Sequence, residues 1–534
     1  MSSNGGRDGQ KFFERGITRR DFLKEAAMVG AAVAVTGSLA SCGTSSAPSS
    51  QSSVAAAPKK GGNLRVGIGG GSTKETIDAH QMYGYPDQAR CDALYDTLYR
   101  FNPDTMQAMP WLAEEATPNA KATVWTVRLK PDVTFHDGKP LTADDVIFSL
   151  KRILNPSFAS SAASTLFSVD PKGFKKIDDL TVEIHMKQAN AVFTESLAET
   201  RVKIVPVGYD PKSPVGTGAF KYQSFIPGER SLFVANPNYW GEGPYVDQVE
   251  VIDFKDDTSR INALLSGAVE MIAQVPRANA KALSSQGFAV VRTQCGNWDP
   301  IDMLADKRPF NDERVRQAFR LLADRQEIVN LALVGYGRVA NDMFSPYDKG
   351  YPTDLPQRTQ DLEQAKSLLK AAGQEGMKIE FVTSPMDDAV VEEAQVFAQQ
   401  AKAAGIDMKI RKVDEAAFWD QYYTVYPLVN EYWSTRNYLN QANLCVGEHA
   451  QWDVTHWRDA RWEKLMAEAW QTVDETKRNE IIREVMTIDY EKGPFIIWGY
   501  KDILDARSSK VIGLKGDKSG NPLGDFRYQT ISFV

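Results

Sequence analysis

His136 and Asp137 are the neighbouring residues of this 534-residue chain whose types best suit acid–base chemistry. An imidazole beside a carboxylate can move a proton near neutral pH. However, Asp137 is followed by Gly138, and an Asp-Gly dipeptide predicts a tight turn. Thr142, with Asp145 three residues later, predicts the cap of a helix. Because the turn and the cap explain the segment without catalysis, we interpret it as structural.

Other arrangements that carry catalysis or bind metals are missing from the sequence. It contains no GxSxG motif for a nucleophilic serine, and its five histidines never adopt HExxH spacing. The adjacent pairs Asp256-Asp257 and Asp387-Asp388 are not spaced as facing carboxylates of a hydrolase. We therefore predict no catalytic residue, no metal site and no cofactor.

The overall composition is that of an ordinary globular protein. The chain is 43% apolar, 25% charged and 10% aromatic, with a formal net charge of −7. This charge offers no bulk positive field for a phosphate backbone, so we expect no nucleic-acid partner. Four cysteines are too few for a disulfide framework.

The first 41 residues predict an export signal. A polar, basic stretch ending in Arg19-Arg20-Asp21-Phe22-Leu23 precedes the apolar run 26–40, which is too short to span a bilayer. The paired arginines resemble the twin-arginine export signal. A frayed basic helix is the alternative.

The apolar run ends in Leu39-Ala40-Ser41-Cys42, which resembles the lipobox of bacterial lipoproteins. This resemblance implies that Cys42 receives a lipid and becomes the mature N-terminus. The alternative is an incidental thiol beside an ordinary cleavage site. Residues 42–60 are rich in Ser, Ala, Pro and Gly and predict a flexible tether. We expect a periplasmic or cell-surface protein that is anchored to the membrane by its lipid.

The remaining chain predicts a layered α/β fold. Alternating apolar and polar residues predict strands over 63–68, 125–129, 181–186, 202–207, 219–225, 230–235, 248–254, 379–383 and 408–413. Apolar stripes at helical spacing predict helices over 312–333, 361–372, 389–404 and 459–489. Gly373 and Gly405 follow two of these helices, where a left-handed residue is favoured. No 20- to 50-residue period repeats, which excludes a solenoid.

The segment from Trp125 to Val146 closely resembles the signature of the extracellular solute-binding proteins of the peptide/nickel/opine type. These proteins, known as family 5, are the substrate receptors of ABC importers. Further similar segments occur in family order at 215–221, 236–240, 309–325 and 365–369. The resemblance extends from about residue 60 to the C-terminus.

The resemblance implies a two-lobed fold of the type II periplasmic-binding-protein kind, with an extra subdomain on the first lobe. The implied boundaries are 60–96, 206–295 and 495–534 for lobe I, 97–205 for the extra subdomain, and 296–494 for lobe II. Hinge strands are expected near 295–297 and 493–495. The ligand is expected between the lobes.

Arg436 is the candidate residue that says most about the ligand. In dipeptide receptors of the family, an aspartate after a Gly-Trp pair receives the ligand's α-ammonium, and pattern alignment places Arg436 there. A guanidinium would repel an ammonium and hold a carboxylate or phosphate. We therefore expect a ligand with an anionic group. The alternative is that Arg436 pairs with Glu431 or another carboxylate.

Six further residues are ligand-binding candidates. Trp419 and Trp433 are expected to stack on the ligand, although most aromatic residues of this lobe must be core. Residues 78–83 resemble the family's entry loop, which makes His80 and Tyr83 candidates; a histidine here is more often bonded within its loop. Asn297 and Trp298 lie at the expected crossover.

Three cysteines, Cys91, Cys295 and Cys445, remain after Cys42. Cys295 and Cys445 could pair across the site or be buried as small apolar residues.

These observations predict a non-enzymatic, monomeric receptor that delivers a small polar solute to an ABC permease and its ATPase. The solute would be a peptide, an opine or an amino-acid conjugate. An exported hydrolase and a peptide-binding chaperone on the same fold are the alternatives.

Overall fold

The computed structural model describes residues 58–448 and 450–534. The predicted signal peptide, Cys42 and residues 42–57 of the predicted tether lie outside these ranges, as does His449. Within the described ranges, no helix is both long enough and apolar enough to cross a membrane.

The first sheet, as we call the largest one described, has eight strands. In spatial order they are Ala289–Asn297, Gly499–Arg507, Met271–Ile272, Asn63–Gly69, Gln248–Phe254, Arg230–Ala235 and Phe220–Ile226, and Gly337–Val339 also pairs with Gly499–Arg507. Asn63–Gly69 runs parallel to both of its neighbours, whereas the remaining pairs are antiparallel. Its alternating side chains Leu64, Val66 and Ile68 are fully buried, which fixes its register in the sheet.

The second sheet has five strands, which lie in the order Asp407–Lys412, Lys378–Thr383, Leu428–Asn430, Pro300–Met303 and Phe495–Ile497. The third sheet has four strands, in the order Ala113–Pro118, Val124–Leu129, Thr181–Met186 and Val169–Asp178. Apolar clusters cover both faces of the first and second sheets, and a separate cluster supports the third. Two short antiparallel pairs, Tyr99–Phe101 with Ala108–Pro110 and Val511–Ile512 with Ser532–Phe533, complete the described strands.

Helices cover the sheets. The α-helices are Tyr85–Leu94, Ala143–Ile153, Phe193–Ser196, Asp257–Ser266, Arg277–Ser285, Glu313–Leu322, Arg325–Ala332, Leu362–Ala371, Val390–Ala403, Glu415–Ala417, Tyr438–Cys445, Ala460–Gln471 and Glu475–Lys492. Single turns of other types occur at Ala163–Leu166, Phe418–Tyr422, Pro522–Phe526 and Tyr528–Thr530. The turn at Pro522–Phe526 is left-handed, with φ between 51° and 63° from Leu523 to Phe526.

The chain passes directly between the first and second sheets at two points. Ala289–Asn297 leads into Pro300–Met303, and Phe495–Ile497 leads into Gly499–Arg507. The predicted boundary assigned 495–497 to lobe I, but these residues pair with Pro300–Met303 in the second sheet. The boundary between the sheets therefore lies at Trp498 in this part of the chain.

Most predicted elements are confirmed, and the exceptions have identifiable causes. The predicted helix 312–333 is two helices, because Asp324 caps the second by accepting a hydrogen bond from the Glu327 amide at 3.0 Å. The predicted helix 459–489 divides in the same way at Asp474. The predicted strand 202–207 is wrong. This buried segment is held by separate contacts, such as the bond from the Val205 amide to Ser149 Oγ at 2.9 Å.

The signature segment is structural, as predicted. Thr142 and Asp145 form the capping box of Ala143–Ile153. His136 Nδ1 accepts a hydrogen bond from the Gly216 amide at 3.1 Å, and its Nε2 lies 3.0 Å from the Gly218 carbonyl oxygen. Burial lowers the pKa of His136 to about 4, so the ring is neutral and joins two of the motifs that carry the family resemblance.

The described cysteines Cys91, Cys295 and Cys445 are free and buried, so the considered Cys295–Cys445 bridge does not form. Cys295 Sγ instead lies 3.1 Å from the Lys501 carbonyl oxygen, and Cys445 packs in the core beside the second sheet.

Candidate functional site

A cavity of about 770 Å³ lies between the first and second sheets. Most of its lining comes from seven segments that are distant in sequence, namely 83–85, 198–203, 274–277, 385–388, 432–436, 501–504 and 519–525. The volume lies within the usual range for a small-molecule site. The segment 198–203 follows the strands of the third sheet in sequence and brings Glu199 and Arg201 into the lining.

The loop that carries Arg436 is fixed to the first crossover. Trp433 and Trp298 exchange two backbone hydrogen bonds of 3.0 and 2.9 Å. The Asn297 side-chain oxygen accepts hydrogen bonds from the Thr435 amide at 2.9 Å and from its hydroxyl at 3.0 Å. Asn297 Nδ2 also donates to the Gly520 carbonyl at 3.2 Å. Asn297 thus ties the segment 432–436 to the segment 519–525 and positions the residue that follows Thr435.

Arg436 lies in the cavity wall beside one carboxylate. Its Nε is 3.5 Å from Glu199 Oε1, and its Nη1 is 3.5 Å from Gln441 Oε1. The considered pair with Glu431 does not form, because Glu431 is buried and accepts a hydrogen bond from the Tyr423 hydroxyl at 2.8 Å. The Arg436–Glu199 contact is long for an ion pair and leaves the guanidinium able to bind a further anion.

A second guanidinium, that of Arg201, lies in the same wall. Burial and then the like charge of Arg436 lower its pKa, whereas the nearby Glu199 opposes this shift. Among the described residues, Arg201 makes no salt bridge and no side-chain hydrogen bond. Two cationic side chains therefore share the field of a single carboxylate in this part of the cavity.

Another part of the cavity carries charges that are matched within the protein. Lys501 lies between Asp299, at 2.6 Å from its Nζ, and Asp387, and Arg277 pairs with Asp388. Burial opposes ionisation of Lys501, but the two carboxylates raise its pKa. Burial raises the pKa of Asp299 to about 7. These pairs join segments of the first and second sheets across the cavity.

Comparison with known proteins identifies the family. A sequence model described as "Bacterial extracellular solute-binding proteins, family 5 Middle" matches residues 107–450. The dipeptide-binding protein of Escherichia coli K12 is 25% identical over 483 residues, which cover 82% of this chain and 89% of that protein. The oligopeptide-binding protein AppA of Bacillus subtilis 168 is 26% identical over 523 residues, which cover 89% and 93%. The chain belongs to the family 5 extracellular solute-binding proteins.

The fold also agrees with the family. The structure of AgaA of A. tumefaciens R10 in complex with agropinic acid superposes with a TM-score of 0.74 at 23% identity, over 89% of this chain and 99% of that one. This likeness confirms the predicted two-lobed α/β fold of type II. The family 5 protein described here is the substrate-binding receptor of an ABC importer.

Four of the predicted ligand-binding residues line the cavity of this solute-binding protein, namely Tyr83, Asn297, Trp433 and Arg436. Tyr83 is 67% exposed. Trp433 is only 9% exposed and stacks on Trp298, with ring centroids 6.3 Å apart. It therefore belongs mainly to the core.

Three predicted residues do not line the cavity. His80 is buried; its Nε2 lies 2.8 Å from the Lys203 carbonyl oxygen, and Arg152 donates to its Nδ1 at 2.9 Å. Burial lowers the pKa of His80 to about 4, so it is a neutral structural residue. Trp298 is buried and stacks on Phe344 at 5.2 Å.

Trp419 lies behind the cavity wall. It contacts Tyr423 at a centroid distance of 4.9 Å and the lining residue Tyr432 at 6.5 Å. It is 37% exposed, but on a surface outside the lining. Of these two neighbouring aromatic residues, Tyr432 lines the cavity and Trp419 does not.

Sequence reasoning missed Arg201, Glu199, Asp387 and Lys501. One available signal is the loop after Lys378–Thr383, because this strand runs parallel to Asp407–Lys412 and ligands bind beyond the carboxyl ends of parallel strands. That rule points to Asp387. No comparable pattern points to Arg201, which follows a single helical turn at Phe193–Ser196.

Within residues 58–448 and 450–534, no group of three or more His, Cys, Asp or Glu side chains could hold a metal ion.

Proposed function

We propose that this receptor captures a small polar solute with an anionic group, such as a peptide, an opine or an amino-acid conjugate. The solute is enclosed between lobe I (60–96, 206–295 and 498–534) and lobe II (296–497), with the subdomain 97–205 closing one side. The receptor then delivers it unaltered to an ABC permease and its ATPase. The observation that carries this proposal is Arg436 in the wall of the cavity, held by a loop anchored at Asn297.

The charge of Arg436 favours an acid over a free ammonium group at this point. A guanidinium and a carboxylate form two parallel hydrogen bonds, whereas an ammonium would be repelled. The relatives' names support both peptides and opines as classes, since two are dipeptide- and oligopeptide-binding proteins and one is in complex with agropinic acid. All of these solutes can carry a carboxylate.

Paired probes that differ in one charge test this function. We would measure the affinity for trialanine and trialanine amide, and for D-gluconate and D-glucose, by calorimetry and by thermal unfolding. A probe at 100 times its dissociation constant stabilises the protein by about 2.7 kcal/mol. We expect the acid of at least one pair to bind more tightly, and mass spectrometry to recover it unaltered. Equal affinity for acid and neutral partner would refute the anionic class, and recovery of a cleaved probe would refute the receptor role.

The variant Arg436→Ala tests the residue. Because a hydrogen bond to a charged group is worth about 1.5–3 kcal/mol, we expect the affinity for the acid probe to fall roughly tenfold to hundredfold. Arg461→Ala is the matched control, since Arg461 pairs with Glu484 on the surface. Unchanged affinity in Arg436→Ala would remove Arg436 from the site.

We also propose that the protein acts as a monomer in the periplasm or at the cell surface. A lipid on Cys42, the first residue of the tether 42–60, would anchor it to the membrane. In cells supplied with labelled palmitate, the wild-type chain should incorporate the label and Cys42→Ala should not. Label that survives Cys42→Ala would show that the anchor is elsewhere.

A further inference from the structure

Arg201 differs from the other cationic residues of the cavity. Arg277 pairs with Asp388, Lys501 with Asp299 and Asp387, and Arg260 with Asp257 at 2.7 Å. Arg201 lines the same cavity and has no such partner among the residues that the structure describes.

An unmatched guanidinium in a partly enclosed wall is unfavourable for folding. Removing a charge from water costs free energy unless a counter-charge or hydrogen bonds replace the lost hydration. Here the field of Arg436 adds repulsion, and the nearby Glu199 carboxylate opposes it. Residues that are unfavourable for stability concentrate at functional sites, where a ligand supplies the missing interaction.

We propose that Arg201 and Arg436 together form a subsite for one carboxylate group of the transported solute. This inference rests on the proposed function and deepens it. Two guanidinium groups and the Glu199 carboxylate together carry one net positive charge. One carboxylate neutralises this charge, whereas a phosphate dianion would leave an excess negative charge. Planar guanidinium groups also match the two oxygens of a carboxylate.

The position of the two arginines links this subsite to closure. Arg201 follows the third-sheet region, whereas Arg436 lies in a loop tied to the crossover between the other two sheets. Without an anion, the two like charges repel each other. A carboxylate between them turns this repulsion into attraction, so the acid group of the solute holds these two segments of the lining together.

The test uses Arg201→Gln, which removes the charge and keeps most of the side-chain length. Arg128→Gln is the matched control, because Arg128 lies on the surface and pairs with Glu114 at 2.8 Å. Each protein would be titrated with trialanine, trialanine amide, D-gluconate, D-glucose and glucose 6-phosphate, and its unfolding temperature without probe would be measured. Arg201→Lys would show how much of the binding depends on charge alone.

We expect Arg201→Gln to bind the acid probe about tenfold to hundredfold more weakly and to bind its neutral partner as the wild type does. Its unfolding temperature without probe should equal or exceed that of the wild type, which a structural arginine would not allow. Unchanged acid preference, or a loss of stability without a loss of binding, would overturn the role of Arg201 and leave the receptor function intact.

Two other outcomes also decide the question. Glucose 6-phosphate binding more tightly than D-gluconate would overturn the carboxylate class in favour of a dianion. If the wild-type protein binds no probe, or binds each acid no more tightly than its neutral partner, the result would contradict the proposed function and the subsite together.

Discussion

The arginines around Asp342 and those around Glu199 occupy two regions that differ in the source of their negative charge. Asp342 is buried and accepts two hydrogen bonds from Arg325 Nη2, at 2.7 and 2.6 Å. Arg358 Nε lies 2.8 Å away and Arg320 Nε 3.3 Å away. Although burial opposes it, these three guanidinium groups lower the pKa of Asp342. Here the protein supplies the anion.

The cavity region has the same residue types in a looser arrangement. Glu199 lies 3.5 Å from Arg436 Nε, and Arg201 has no salt bridge within the described residues. Glu199, Arg201 and Arg436 line the cavity, whereas Arg320, Arg325 and Asp342 are almost completely buried. A buried arginine needs a counter-charge within the fold, and the proposed carboxylate subsite would supply one to Arg201 from the solute.

Removing the Asp342 charge should produce the largest effect. In Asp342→Asn, three guanidinium groups lose their counter-charge, so the free energy of unfolding should fall by about 3–5 kcal/mol. The φ of Asp342 is 58°, a conformation that Asn tolerates well, so backbone strain does not confuse the result. Urea unfolding measures the change.

The same variant has a pH signature. Because the pKa of Asp342 is lowered on folding, its contribution is present above the ordinary pKa of Asp and is lost as pH falls through the lowered value. Asp342→Asn should therefore lose less stability on acidification than the wild type. Asp354→Asn, which breaks a surface pair with Arg483, is the control and should hardly change stability. Similar losses in both variants would contradict the comparison.

The buried cluster and the cavity differ in how far the sequence could reveal them. Local rules predicted the capping box at Thr142 and the alternating strand Val124–Leu129, because both depend on near neighbours in the chain. Local rules failed at 202–207, where hydrogen bonds to Asp96 and Ser149 hold an extended segment outside any sheet. Alternation alone cannot distinguish such a segment from a strand.

The candidate site depended on resemblance and on long-range packing. The family pattern led to Arg436, which lies in the cavity wall. Arg201 is separated from Arg436 by more than 200 residues of sequence, and no periodicity or motif joins them. Trp419 and Tyr432 illustrate the same difficulty, since both are aromatic residues of one lobe and only the packing of the loop decides which reaches the cavity.

A carboxylate of a different kind, Glu195, should give an intermediate effect. It lies in the turn Phe193–Ser196, and Asn440 of the helix Tyr438–Cys445 donates to its Oε2 at 2.8 Å. Burial, and then the charge of Asp348, raise the pKa of Glu195 to about 8. Glu195 thus has amides as partners where Asp342 has arginines, and its pKa moves in the opposite direction.

Because burial raises this pKa, enclosing Glu195 is most favourable below the ordinary pKa of Glu, where the carboxyl is neutral, and becomes less favourable as pH rises through about 8. If closure buries Glu195, the affinity for the acid probe should fall by about tenfold between pH 5 and pH 9, since solvent screening reduces the full effect. Calorimetry at several pH values should show that the affinity for the acid probe depends less on pH in Glu195→Gln than in the wild type. The control Glu114→Gln should show the same pH dependence as the wild type. A steep profile in Glu195→Gln would assign the pH dependence to another group.

Glu199→Gln should produce the smallest and most discriminating effect. The variant removes the Glu199 charge beside Arg201 and Arg436, so the net charge of these three side chains rises from one to two. A partly exposed ion pair is worth about 0.2–1 kcal/mol, so we expect the affinity for D-gluconate to rise roughly twofold to fivefold. The gain for glucose 6-phosphate should be larger, because a dianion matches two positive charges, and both gains should shrink at high salt. Calorimetry at low and high salt measures each gain. A weaker affinity for both probes would mean that Glu199 chiefly holds Arg436 in place, as Asp342 holds Arg325. The two regions would then differ in their exposure to solvent and not in the source of their negative charge.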